Sequence, residues 1–175
     1  QRHYHTLQHL AECISHLQEN LDLALEPAEV EIALWFHDAI YDIKASNNEQ
    51  QSADWAVSAL TEAQVATDKI ERIKTLIMAT QHSAEPQGQD QQLLVDIDLA
   101  ILGATGPRFE EYETQVRAEY AWVPEPLFRA KRQEILMEFL GRNPLYNTPR
   151  LRNKLEQQAQ ANLTTSIEKL RNSAH

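Results

Sequence analysis

Apolar residues recur at spacings of three and four along most of this chain, the period of helices that bury one face. The stretch TLQHLAECISHLQ sets Leu7, Leu10, Ile14 and Leu17 on one stripe. In EPAEVEIALWFHDAIY, Pro27 suits a first helical turn and acidic residues follow it. The segment then turns apolar on nearly every side, which predicts a centrally buried helix running through His37 and Asp38. SNNEQQSADWAVSAL reads as a helix opened by Ser46 as N-cap, with Glu49 three residues on as in a capping box, and TDKIERIKTLIMAT repeats the order of cap, then stripe. After the loop HSAEPQGQDQ comes QLLVDIDLAIL, stopped by Gly103 and ATGP. Three longer helices are predicted at about 107–120, 124–140 and 148–170, the last opened by Thr148 and Pro149.

No segment alternates β-branched with polar residues, and no Asn-Gly or Asp-Gly pair marks a hairpin. The expectation is therefore an all-α bundle of about eight helices. Without a repeat, low-complexity tract or linker, residues 1–175 read as one domain, with 107–175 as a helical extension packed on the same core. The chain opens at Gln1, so its first motif is expected to lack a lead-in helix.

Composition narrows the class. A chain of 175 residues buries about 70% of its unfolded surface on folding. It has 42% hydrophobic residues and no run of eighteen apolar residues, so no membrane partner is expected. The single cysteine, Cys13, excludes an internal disulfide framework and reads as a small buried hydrophobe; together with the absence of an apolar leader, this suggests the cytoplasm. Net charge is −10, unevenly spread. Residues 1–107 hold 5 Lys and Arg against 17 Asp and Glu, while residues 108–175 hold 11 against 9. An acidic first part is unsuited to a nucleic-acid backbone and suited to a cation.

The candidate chemistry lies in that acidic part. His5 and His9, in RHYHTLQHL, stand one helical turn apart, so both rings are expected on one helix face. His37 and Asp38 sit among Leu34, Trp35, Phe36, Ala39 and Ile40, and Asp96 and Asp98 among Leu, Val and Ile. A carboxylate in such surroundings costs several kcal/mol unless a cation or several donors meet it, and the nearest basic residue in sequence to Asp38 is Lys44. A divalent metal supplies the positive charge and neutral imidazoles its other ligands. Residues two apart on a helix diverge by about 200°, so only one of Asp96 and Asp98 can face such a site. His82, at the end of an amphipathic helix, is a further polar residue able to look into a cavity.

In order, His9, His37-Asp38 and Asp98 resemble the signature of the HD superfamily of metal-dependent phosphohydrolases. YHTLQH is similar to the Tyr-His-Asn-x-x-His stretch of cyclic-nucleotide phosphodiesterases, and DIDLAILGATG to a segment of small bacterial HD hydrolases whose second Asp is a ligand. VRAEY and KRQEILMEFLGRNPLY are similar to predicted bacterial HD phosphohydrolases of this size. The resemblance implies an all-α HD fold with His9, His37, Asp38 and Asp98 as metal ligands. It implies His5 as general acid or phosphate contact, Glu49 as a group orienting the attacking water, and His82 as the additional histidine some members carry. Of the basic residues that could meet phosphate, Arg2 adjoins His5, and Arg117 and Arg132 stand at recurring positions of that family. No Glu stands at HDxxE spacing and no further His follows the HD pair except His82 and His175, so a His-rich two-metal set is not matched.

The expected activity is hydrolysis, by metal-activated water, of a phosphomonoester or phosphodiester of a small metabolite or nucleotide. Nitrogen and oxygen ligands without thiolate suit Mn, Fe, Co, Ni, Zn or Mg rather than Ca. Two alternatives are a non-catalytic helical binding module stabilised by its metal and an HD-type di-iron oxygenase, which needs more histidines than the chain offers.

Overall fold

The computed structural model describes residues 1–172, and among them every regular element is helical: eight α-helices and two short 3₁₀ turns. The helices gather into two compact units, one formed by Arg2 and Tyr4–Asp98, the other by the chain from Leu99 onward with Gln1 and His3. Among the described residues no helix is long and apolar enough to cross a membrane.

The N-terminal unit contains α1 (Leu7–Glu19), a 3₁₀ turn (Leu21–Leu23), α2 (Pro27–Phe36), α3 (Asn48–Glu62), α4 (Thr67–Ala79) and α5 (Gln89–Asp98). Helix α2 is its hub, touching α1, α3, α4 and α5. Val30, Ala33 and Leu34 of α2 have no exposed surface, and around them pack Leu17, Ile73, Ile77, Leu93, Leu94 and Ile97. Each fully buried Leu or Ile contributes about 1.5–3 kcal/mol, so this cluster dominates the unit's stability.

The local details correct several expectations. Helix α1 opens at Thr6, whose hydroxyl accepts from the Gln8 amide at 3.3 Å, so His5 precedes the helix and does not share a helical face with His9. The stripe α1 buries is His9, Cys13 and Leu17, and Leu7 is 79% exposed. Helix α2 begins at Pro27 as expected but ends at Phe36. His37 is its C-cap and Asp38 lies in the following turn, while Trp35 is 55% exposed, so the helix is not apolar-buried all round. The N-cap of α3 is Asn47 rather than Ser46, without a side-chain cap, and Glu49 falls in its first turn; Ala66 rather than Thr67 precedes α4. In place of a capping box, the Asn48 amide closes the loop before α3: its Nδ2 donates to the Asp42 carbonyl at 3.0 Å and its Oδ1 accepts from the Asp42 amide at 2.9 Å.

The C-terminal unit holds a 3₁₀ turn (Leu99–Gly103), α6 (Gly106–Glu119), α7 (Glu125–Gly141) and α8 (Pro149–Asn172), close to the three predicted helices. The segment expected as one helix through Leu102 changes to 3₁₀ at Leu99, and all five residues of the turn are buried. They lie hard against α8. A Cβ on Gly103 would sit 2.7 Å from Leu155 Cβ and 2.8 Å from the Leu155 carbonyl oxygen, so glycine is required for that approach. The turn's carbonyls are met by α8 and the strand of chain before it: Asn162 Nδ2 donates to the Leu102 and Ala104 carbonyls at 2.8 and 2.9 Å, and the Tyr146 hydroxyl to the Leu99 carbonyl at 3.0 Å.

Candidate metal centre

Three helix ends bring the histidines and acids together inside the N-terminal unit. His9 projects from the first turns of α1, His37 from the C-cap of α2, Asp38 from the turn after it, and Asp98 from the last residue of α5. His9 Nε2 lies 3.2 Å from His37 Nε2 and 3.1 Å from Asp98 Oδ1. His37 Nε2 lies 3.1 Å from Asp38 Oδ2 and 3.5 Å from Asp98 Oδ1, and His9 Nε2 is 3.6 Å from Asp38 Oδ2. Atoms each about 2.1 Å from one ion stand about 3.0 Å apart at right angles and about 3.4 Å apart in a tetrahedron. The three shorter spacings, 3.1 to 3.2 Å, fall in that range, and the other two, 3.5 and 3.6 Å, lie just beyond it. The four residues expected as ligands thus converge, and Asp98, not Asp96, is the one that turns inward.

The surroundings fix which ring atoms face the centre. The Leu34 carbonyl accepts from His37 Nδ1 at 2.7 Å, so Nδ1 carries the hydrogen and Nε2 is turned inward. His9 Nδ1 shares a hydrogen bond with the buried Tyr4 hydroxyl at 3.0 Å, which turns its Nε2 inward as well. His82 Nε2 lies 2.9 Å from Asp98 Oδ2, leaving Oδ1 toward the other ligands. Imidazoles held through their far nitrogen and a carboxylate held through its far oxygen are the usual outer arrangement of a metal site.

The test of fit is charge. Among the described residues the ion pairs of Asp38 and Asp98 run only to histidines, with no guanidinium or ammonium group. Asp38 Oδ2 is buried and accepts no hydrogen bond, although it lies 3.1 Å from His37 Nε2. An anionic oxygen so placed calls for a cation on the side where the ligand atoms converge. Burial pushes the Asp98 carboxyl up, but hydrogen bonds from His37, His82 and His9 outweigh it and hold the group well below the usual carboxylate range. Asp38, opposed by burial and favoured by His37 and His5, is lowered to about 2. Burial likewise disfavours a charged His37, yet Asp38 and Asp98 raise its pKa well above the ordinary value. In the metal-free protein a proton on His37 therefore stands where a cation's charge is needed. The group fits a metal ion.

Cys13 was not expected among the ligand-capable atoms. It lies one turn after His9, and that spacing was the available signal; it belongs with His9, His37 and Asp98 to a group whose donor atoms fall within 4.8 Å of one another. Its Sγ is 3.7 Å from both nitrogens of His9, so it lies along neither lone pair. Burial, then Asp98, Asp38 and Glu12, push the thiol well above its usual range in the metal-free protein. Tyr4, the partner of His9, was also missed, because a tyrosine in a loop carries no sequence mark of what its hydroxyl meets.

The remaining site candidates are placed differently. His5 stacks on Tyr41, with ring centroids 3.9 Å apart and planes at 22°, and its centroid lies 6.2 Å from that of His9. Arg2 donates to the carbonyls of Asp38 and Ala39 at 2.8 and 2.9 Å. His82 lies in the loop beyond α4, which ends at Ala79, and not on the helix. Glu49 stays in the first turn of α3. Arg117 and Arg132 belong to the C-terminal unit. Arg117 donates there to the Tyr120 carbonyl at 2.7 Å and to Glu125 at 2.9 Å, and the buried Arg132 pairs with Glu113. Both are thus engaged in holding helices rather than displayed for phosphate.

The chain matches no family model, no curated protein and no solved structure.

Proposed function

We propose that the protein is a metal-dependent phosphohydrolase of the HD type, acting on a phosphomonoester or phosphodiester of a small metabolite or nucleotide. The observation that carries the reading is the convergence of two imidazole nitrogens and two carboxylate oxygens which, among the described residues, no lysine or arginine side chain pairs with. A divalent ion of the Mn, Fe, Co, Ni, Zn or Mg type, when bound, makes a water acidic and polarises a phosphoryl oxygen. The chain's own contribution is to present His9, His37, Asp38 and Asp98 in fixed orientation. To serve as a ligand, His37 would have to give up the proton on its inward nitrogen. In this reading His5, stacked on Tyr41 with its ring centroid 6.2 Å from that of His9, would donate a proton to the leaving oxygen. Arg2 sets the turn that carries Asp38 and adds positive charge at the exposed edge. Glu49 complements the N-terminal end of α3.

The side chain of Asp38 is 25% exposed against 4% for His9 and 2% for His37, so substrate would approach from the Asp38 side. The burial of the two histidines also suits a second reading, an ion that only stabilises the unit. One experiment separates them: metal analysis of the purified protein, then a panel of phosphomonoesters and phosphodiesters with Mn²⁺ or Zn²⁺ added. The expected result is stoichiometric metal and turnover that falls at least about 100-fold in His37→Ala and Asp38→Ala. Bound metal with no turnover of any substrate favours the stabilising ion, and turnover unchanged in both variants removes the hydrolase reading.

A further inference from the structure

The residues that hold the centre from outside begin almost at the start of the chain. Tyr4 is 5% exposed, and its hydroxyl is 3.0 Å from Nδ1 of His9, the nitrogen opposite the one turned into the centre. Two residues earlier, Arg2 spans the carbonyls of Asp38 and Ala39 with separate guanidinium nitrogens, at 2.8 and 2.9 Å. Its guanidinium carbon also stands 5.8 Å from the centre of the Tyr41 ring, on which His5 stacks. One short segment, with no helical residue of its own, thus reaches a ligand on α1 and the turn that carries another ligand after α2.

We infer that Arg2 and Tyr4 form a positioning strap for the metal ligands, Tyr4 fixing the ring of His9 and Arg2 fixing the turn of Asp38. The inference rests on the metal reading of the centre and assigns these residues no contact with substrate. The tyrosine hydroxyl suits this task because it can both donate and accept. It accepts from His9 Nδ1–H when the Nε2 lone pair is offered to a cation, and donates to a bare Nδ1 when Nε2 carries the hydrogen toward Asp98 Oδ1, 3.1 Å away. A phenylalanine fills the same space and does neither, leaving the buried ring nitrogen only the weak contact with Cys13 Sγ at 3.7 Å. Arg2 acts on the backbone instead. With two carbonyls bound by one planar fork, the turn after α2 has fewer ways to swing Asp38 away from His37.

The test is metal affinity, read by competition with a chromogenic chelator using Zn²⁺ alone, on the full chain at a temperature where circular dichroism shows each variant folded. Tyr4→Phe is expected to weaken binding about 10- to 100-fold, the usual effect of removing an outer partner of a metal ligand. Arg2→Gln, at an exposed position that does not threaten folding, is expected to weaken it less, by about 3- to 10-fold. In the metal-free protein, long-range ¹H–¹⁵N spectra should show the His9 ring nitrogens shifted in Tyr4→Phe and unshifted in Arg2→Gln. Wild-type affinity in both variants, with unchanged His9 ring shifts, overturns the strap while leaving the metal centre standing. Failure of the wild type to bind Zn²⁺ overturns both.

Discussion

Carboxylates drawn away from solvent are compensated differently at the candidate centre and elsewhere in this protein. In the C-terminal unit Glu113 meets the guanidinium of Arg132 through one oxygen and the Ser166 hydroxyl through the other, at 2.8 Å. Glu29, 4% exposed in α2, is gripped by Arg72 at 2.7 Å through both oxygens. Among the described residues, the Asp38 and Asp98 carboxylates form ion pairs with histidines only. Arginine closes these two pairs and leaves nothing more to satisfy, whereas the centre is a charge short and could hold an ion.

Breaking both kinds of pair tests that contrast most strongly. Arg132→Ala leaves Glu113 without its cation and should cost about 3 kcal/mol in urea denaturation, the lower end for a buried pair because the Glu113 side chain is 23% exposed. Added Zn²⁺ should not restore that loss. In the wild type, Zn²⁺ at about 100 times its Kd should raise stability by about 2.7 kcal/mol, and Asp98→Ala should abolish the increase. An equal Zn²⁺ effect in Asp98→Ala would show that the ion binds elsewhere.

The same contrast explains what the sequence made legible. Helix periodicity located the helices most clearly where apolar residues are buried at helical spacing, as in α4 and α8; the apolar settings of Asp38, Asp96 and Asp98 marked the candidate acids, and the resemblance to the HD signature singled out His9, His37, Asp38 and Asp98 among them. Rotation of a helix about its axis is not visible in the sequence. The expected stripe of Leu7, Leu10, Ile14 and Leu17 is the more apolar, yet it is His9, Cys13 and Leu17 that α1 buries in packing against α2 and α5. Helix ends were also hidden: ending α2 at Phe36 turns His37 inward as a C-cap, an outcome of tertiary contacts. For Arg117 and Arg132, the positive charge could be read but not its partners, which lie 8 and 19 residues away.

Titration sharpens the comparison at smaller amplitude. In protein stripped with a chelator, His37 holds its proton more tightly folded than unfolded. Its contribution is full below its ordinary value of 6.5 and fades as pH rises through the higher folded value. Asp38 and Asp98 have the opposite sign. Their contribution is full above 3.8 and is lost as pH falls through their folded values, about 2 for Asp38. Stripped protein should therefore be most stable in mild acid and lose stability toward alkaline pH, as melting curves across pH would show. The increment from Zn²⁺ should run the other way and grow with pH, since the ion displaces the His37 proton. If Asp98→Ala in chelator keeps the wild-type profile, the cluster does not set it.

The smallest effect concerns His82, which meets Asp98 from a loop where its backbone adopts φ 54°, a left-handed conformation that histidine and asparagine tolerate better than most residues. Its side chain is 19% exposed, so water can take over its hydrogen bond to Asp98 Oδ2, which the buried Tyr4 hydroxyl does not allow for His9. His82→Asn keeps the tolerance for that backbone but is too short to reach the carboxylate, while His82→Gln reaches it and fits the backbone less well. Zn²⁺ affinity should fall by less than about tenfold in either, with Gln above Asn if the contact matters more than the backbone. The reverse order, read in the same chelator competition, would mean that His82 serves the loop's conformation and that Asp98 is oriented by His9 and His37 alone.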